Sequence, residues 1–186
     1  MKIEKFSRLH KIPNSPSFQK KNFFTGIYSS GKTTLANIVA RSIDSPYLAY
    51  DELYNYRALV DTEELSDEKF ANASNLVFKI INRYESYCMD AIPAANIVDL
   101  SNFKTYLSGR CDISITIIKC SKEVWLSRQG KGKPIAETEY DEFYYGGKAP
   151  IKSWEKLFRP HEVYYYDSGS DYFCNSLSEL YDKTQY

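Results

Sequence analysis

Residues 21–34, KNFFTGIYSSGKTT, carry Gly26, Gly31, Lys32 and Thr33 at the spacing G-x-x-x-x-G-K-[ST]. Each residue type has a physical task. Successive main-chain N–H groups can wrap a polyphosphate only where the chain turns tightly, and Gly26 and Gly31 permit the backbone angles this requires. Lys32 adds a positive charge. The helix that opens at Gly31 aims its N-terminal dipole and unpaired N–H groups at the same anion, and the Thr33 hydroxyl is placed to ligate Mg2+. The segment therefore reads as a phosphate-binding loop, with Ser29, Ser30 and Thr34 completing the cradle. An ordinary Gly-rich turn capping a helix has no need of the Lys32-Thr33 pair.

Such a loop works only between a strand and a helix, and both are legible. Residues 22–25 are β-prone, and Leu35, Ile38, Val39 and Ser42 recur at helical spacing. Residues 47–50 form a strand-length apolar run ending at Asp51 and Glu52, where a carboxylate can either meet a ligand or cap the next helix. From 67 to 91 the apolar positions follow a 3.6-residue period that predicts the longest helix, with Pro93 beyond its end. Residues 95–100 then read as a third, buried strand with Asp99 near its end, and 101–109 as a short helix stopped by Gly109. Residues 113–118, β-branched almost throughout, predict a fourth strand, and Ser121 is an N-cap for a helix over 123–128 ending at Arg128. The segment 129–150 holds four glycines and no clean period, as functional or mobile segments do. A short helix over 154–158, a last strand over 163–166 running into Asp167-Ser168-Gly169, and a helix over 177–181 complete the chain.

The alternation of strands and helices implies right-handed crossovers and a parallel sheet covered on both faces, hence a three-layer α/β domain. Residues 1–20, basic and without sustained period, are an N-terminal arm, and 21–186 a single domain. Ligands in such sheets bind at the carboxyl ends of the strands, which gathers the phosphate loop, Asp51, Asp99 and Asp167-Ser168 on one edge.

The 186 residues are 43% apolar and 26% charged, with 24 basic against 24 acidic side chains, so no net charge draws the protein to nucleic acid or to an anionic membrane. No apolar run approaches the ~20 residues of a membrane span and no signal-peptide core is present, which predicts a cytoplasmic protein. Cys88, Cys111, Cys120 and Cys174 lack metal-ligand or disulfide-framework spacing and read as buried thiols; His10 and His161 stand far apart. The 17 tyrosines and 10 phenylalanines supply aromatic walls.

In its phosphate loop and element order the chain resembles the P-loop small-molecule kinases over roughly residues 22–182, a superfamily that includes nucleoside, nucleotide, shikimate, gluconate and dephospho-coenzyme A kinases. The resemblance implies a P-loop NTPase fold with a five-stranded parallel sheet, ATP and Mg2+, an acceptor site beyond the second strand, and a lid between the fourth strand and the fifth, here about 129–150. It implies that Lys32 contacts the β- and γ-phosphates and that Thr33 ligates Mg2+. Asp51 would orient or deprotonate an acceptor hydroxyl, Asp99 would hold the metal as a Walker-B-like carboxylate, and Arg128 would lie over the transferring phosphate. Asp167-Ser168-Gly169 would border the adenine.

The lid segment departs from the nucleotide-kinase pattern, offering Lys131, Lys133 and Lys148 in place of an arginine cluster. The expected reaction is transfer of the γ-phosphoryl group of ATP to a hydroxyl of a small-molecule acceptor. The alternatives are a nucleoside monophosphate kinase, with Arg57, Arg83 or Arg110 converging on a phosphate, and a non-catalytic nucleotide-binding module. The absence of N-K-x-D argues against a GTPase.

Overall fold

A computed structural model describes residues 12–53, 76–90, 103–129, 137–146 and 162–184. Its strands are β1 (Lys21–Thr25), β2 (Tyr47–Leu48), β3 (Tyr87–Met89), β4 (Ile113–Lys119), β5 (Glu162–Asp167) and β6 (Tyr172–Cys174). The helices among the described residues include α1 (Lys32–Ser42), α2 (Lys122–Arg128), α3 (Glu137–Tyr144) and α4 (Leu177–Lys183). Residues 50–53, 76–81 and 103–107 are also helical.

The strands form one sheet in the order β2-β3-β1-β4-β5-β6. The first five are parallel; β6 returns antiparallel along β5. Among the described residues the sheet thus has six strands rather than the expected five, because residues 168–171 turn the chain back after β5. Every residue of β1 and β4 is buried, as expected of central parallel strands covered on both faces.

Alternation along β1 divides the core. Phe24 faces α1, packing with Leu35, Ala36, Val39, Cys88 and Ile118. Phe23 faces the opposite layer, edge-on to Tyr87 and Phe103, in a cluster that includes Val77, Ile81, Trp125, Tyr140 and Tyr144. The arm closes the α1 side: Ile12 is buried there and Phe18 meets Phe24, Tyr164 and Phe173.

The helix expected over 67–91 is corrected. Its helical part ends at 81, and Tyr87–Met89 is a strand between β1 and β2, with Tyr87 N–H donating to the Lys20 carbonyl (2.9 Å) and Cys88 N–H to that of Pro46 (2.8 Å). Three residues buried on both faces have no alternation to display, and Cys88 falls on the helical period by chance. The strand expected over 95–100, with Asp99, lies outside the described residues, as do Pro93, His10, His161, Arg57 and the helix over 154–158. The apolar run 47–50 yields only a two-residue strand before the chain turns helical at Tyr50.

The segment 129–150 is not irregular throughout. Residues 137–144 are α3, anchored by fully buried Tyr140 and Tyr144, whose hydroxyls donate to the carbonyls of Cys120 and Ile118. Ser121 caps α2 as expected, accepting from Val124 N–H. Three cysteines are buried, but Cys111, in the turn before β4, is exposed.

Candidate active site

β1 ends at Thr25 and the loop 26–31 delivers the chain into α1. A Cβ on Gly26 would sit 2.5 Å from the Ile118 carbonyl oxygen, so only glycine lets the loop lie against β4. Gly31 has φ +101° and is the N-cap of α1; it offers no side-chain cap, and the first turn carries no acid. The first-turn N–H groups and the helix dipole are thereby kept for an anion. Ser29 sits at φ +60°, and Ser30 is fully buried, its carbonyl accepting from Arg128 (3.4 Å) and from the Ser168 hydroxyl.

Above this loop lies a cavity of about 810 Å3. Ser29, Gly31, Lys32, Thr33 and Thr34 form its floor, and Asp51, Asp90 and Arg128 stand in its walls. The carboxyl ends of β1, β2, β3 and β5 therefore meet at one place, as the switch-point rule requires. Lys32 donates to the Ile27 carbonyl at 2.9 Å. Burial lowers its pKa, while the charges of Asp90 and Asp51 oppose that shift, so both carboxylates are within electrostatic reach of the ammonium.

Asp90, which follows β3, is the carboxylate that sequence reasoning missed. Its Oδ2 accepts from the Thr33 hydroxyl at 2.6 Å and from the Tyr47 hydroxyl at 2.5 Å, and its Oδ1 from Tyr50 N–H at 3.1 Å. An apolar triplet closed by an acid was the available signal, hidden inside the helical period.

Thr33 and Asp90 suit Mg2+. Both supply hard oxygen atoms, and donation of the Thr33 proton to Asp90 leaves the lone pairs of Oγ1 for a cation. Among the described residues no cluster of three or more His, Cys, Asp or Glu gathers, here or elsewhere. Mg2+ ordinarily takes only one or two protein ligands beside phosphate and water, so this donor set fits it.

Arg128, the last residue of α2, reaches across to the loop after β5. Its Nη1 donates to Ser168 Oγ at 2.8 Å and its Nη2 to the Ser168 carbonyl at 2.6 Å, which holds the guanidinium at the cavity wall beside Gly31. Ser168 lines the cavity; Asp167 is buried and accepts from Gly169 N–H at 2.8 Å and Ser170 Oγ at 2.5 Å, a turn-forming role away from the ligand space. Arg110 is remote, donating to the Tyr106 carbonyl and to Asn82 before the amino end of β4. Arg83 likewise precedes the amino end of β3.

No protein-family model matches the chain, and no curated protein matches it in sequence. Solved structures do match. The shikimate kinase of Acinetobacter baumannii in complex with shikimate is 12% identical over 89% of this chain and 90% of that one, with a TM-score of 0.54. The shikimate kinase of Bacteroides thetaiotaomicron is 15% identical over 88% and 93%, with a TM-score of 0.53. A gluconokinase from Sinorhizobium meliloti is 12% identical over 91% of each chain, with a TM-score of 0.51. A glycine-rich loop after β1, carboxylates after β2 and β3, and an arginine after β4 are thus carried on the fold of the P-loop small-molecule kinases.

Proposed function

We propose that the protein is a phosphotransferase that moves the γ-phosphoryl group of ATP, with Mg2+, to a hydroxyl of a small metabolite. The observation that carries this reading is the division of labour between two carboxylates on one cavity. Asp90 is engaged by Thr33, Tyr47 and Tyr50, whereas Asp51 is exposed at the wall, within electrostatic reach of Lys32. One acid serves the metal side and the other is left for the acceptor.

The phosphate-loop N–H groups and Lys32 bind and orient the polyphosphate, and the Arg128 guanidinium offsets charge on the transferring group. Thr33 and Asp90 would hold Mg2+, which would supply positive charge against that of the polyphosphate. Asp51 accepts the acceptor's hydroxyl proton as the oxygen bonds to the γ-phosphorus, and the bond from that phosphorus to the bridging oxygen breaks to release ADP. A phosphate acceptor would require arginines in the same space; of the three candidates Arg83 and Arg110 lie away from it, and Arg57 is outside the described residues. A reaction fed by ATP fits the cytoplasm, and among the described residues no helix is long and apolar enough to cross a membrane.

The test is incubation with ATP, Mg2+ and pooled nucleosides, sugars and small alcohols beside a pool of nucleoside monophosphates, with mass detection of new phosphate esters. Product from the first pool is expected. Product from the second alone would make the protein a nucleotide kinase, and nucleotide binding without product or ATP turnover would make it a binding module. With the acceptor in hand, Asp51→Asn should lower turnover roughly 10²-fold or more with nucleotide affinity nearly unchanged, whereas a mere helix cap would lose melting temperature and keep its rate.

A further inference from the structure

The Asp90 carboxylate is fixed by donors from three separate stretches of chain. Thr33 lies in α1, Tyr47 in β2, and Tyr50 in the helical turn that carries Asp51. Thr33 and Tyr47 converge on the same oxygen, Oδ2, one from α1 and the other from the sheet edge. Resting on the phosphotransferase reading, we propose that Tyr47 is a positioning residue for the metal side of the site. Its phenol holds Asp90 so that the Thr33 hydroxyl proton stays directed at Oδ2 and the Thr33 oxygen stays turned to the cation.

A carboxylate on a strand end can rotate about two side-chain bonds, and a single hydrogen bond from Thr33 does not fix both. The Tyr50 N–H holds Oδ1, and the Tyr47 hydroxyl adds a second donor to Oδ2, which together fix the plane of the group. The same contact ties β2, two residues long and at the sheet edge, to the residue after β3. That link also sets where the chain leaves β2 on its way to Asp51. Tyr47 packs its ring among the residues around α1, so replacement by phenylalanine keeps the packing and removes only the donor.

The experiment is ADP binding to the full chain, followed by calorimetry as Mg2+ is varied, for wild type, Tyr47→Phe, Asp90→Asn and the double variant. No acceptor or turnover is involved. Outer-shell partners of metal ligands typically contribute 10–100-fold in metal affinity, so Tyr47→Phe should raise the Mg2+ concentration for half-maximal binding about tenfold. ADP affinity in EDTA and the melting temperature without ligand should stay near those of wild type. Because Tyr47 acts through Asp90, the double variant should match Asp90→Asn. An unchanged Mg2+ dependence in Tyr47→Phe, an additive double variant, or a loss confined to melting temperature would overturn the inference and leave the proposed reaction standing. Wild-type protein that binds ADP no better with Mg2+ than without would overturn both.

Discussion

The Lys32 ammonium is partly desolvated, donates to a carbonyl of its own loop and lies within the field of two carboxylates, so its charge is prepositioned at the cavity floor. Lys32→Ala should leave the fold intact, because the side chain lines a cavity rather than a core. The expected loss in barrier lowering is about 3 kcal/mol or more, the scale of a removed transition-state donor. Phosphate-ester formation at a rate comparable to wild type, with an unchanged circular dichroism spectrum, would refute this. At this scale legibility depended on locality. Gly26, Gly31, Lys32 and Thr33 announce themselves because the chemistry needs them within eight consecutive residues. Asp90 is 57 residues from Thr33 and acquires its meaning only when β3 docks beside β1. Tyr47 was legible as a strand residue, but its hydroxyl has no partner until that docking occurs.

Among the elements, β4 and α2 were readable because branched side chains and an N-cap serine act locally, whereas β3, β6 and α3 were not. β3 and β6 are three residues each, too short for a period, and α3 is held by Tyr140 and Tyr144 burying against partners far away in sequence. β4 also ends on an unusual residue. Lys119 is fully buried, donates to the Tyr145 hydroxyl at 2.6 Å and lies over the rings of Tyr144, Tyr145 and Tyr181 at 4.3–5.4 Å. Burial pulls its pKa down from 10.5 to about 8, with the Asp167 and Cys120 charges opposing. The unfolded chain keeps this proton to about pH 10.5 while the folded one releases it from about 8, so the unfolded state binds more protons between these values and stability from this group rises with pH. Burial raises the pKa of Tyr144, Tyr145 and Tyr181, which reverses the slope once free tyrosine ionises near 10. The urea midpoint of wild type relative to that of Lys119→Met should therefore climb between pH 8 and 10, because the thiols of Cys88, Cys120 and Cys174, whose pKa burial raises, contribute alike to both proteins. A difference that stays constant over that window would place the titration elsewhere.

For the whole molecule, two layers on a parallel sheet followed from strand-helix alternation, and the antiparallel β6 did not, since a tight return after β5 leaves no crossover pattern in the sequence. The distribution of anchoring also bears on motion. With Tyr140 and Tyr144 in the core and the Tyr181 hydroxyl donating to the Tyr144 carbonyl at 2.9 Å, α3 belongs to the body. Hydrogen exchange should show its amides protected equally with and without ATP, and any protection gained on binding should fall on the earlier part of 129–150; nucleotide-dependent protection centred on α3 would contradict this. The sheet order has a further consequence for how the protein is made. β1, first in the chain, is central, and its two neighbours are completed only at Met89 and Lys119. Gly26 itself rests against the Ile118 carbonyl, so the loop 26–31 has nothing to lie on while the nascent chain is shorter than β4. During synthesis at ~5–20 residues per second the most sequence-local motif in the protein must wait several seconds, with both edges of β1 open to the wrong partner, before it can take shape.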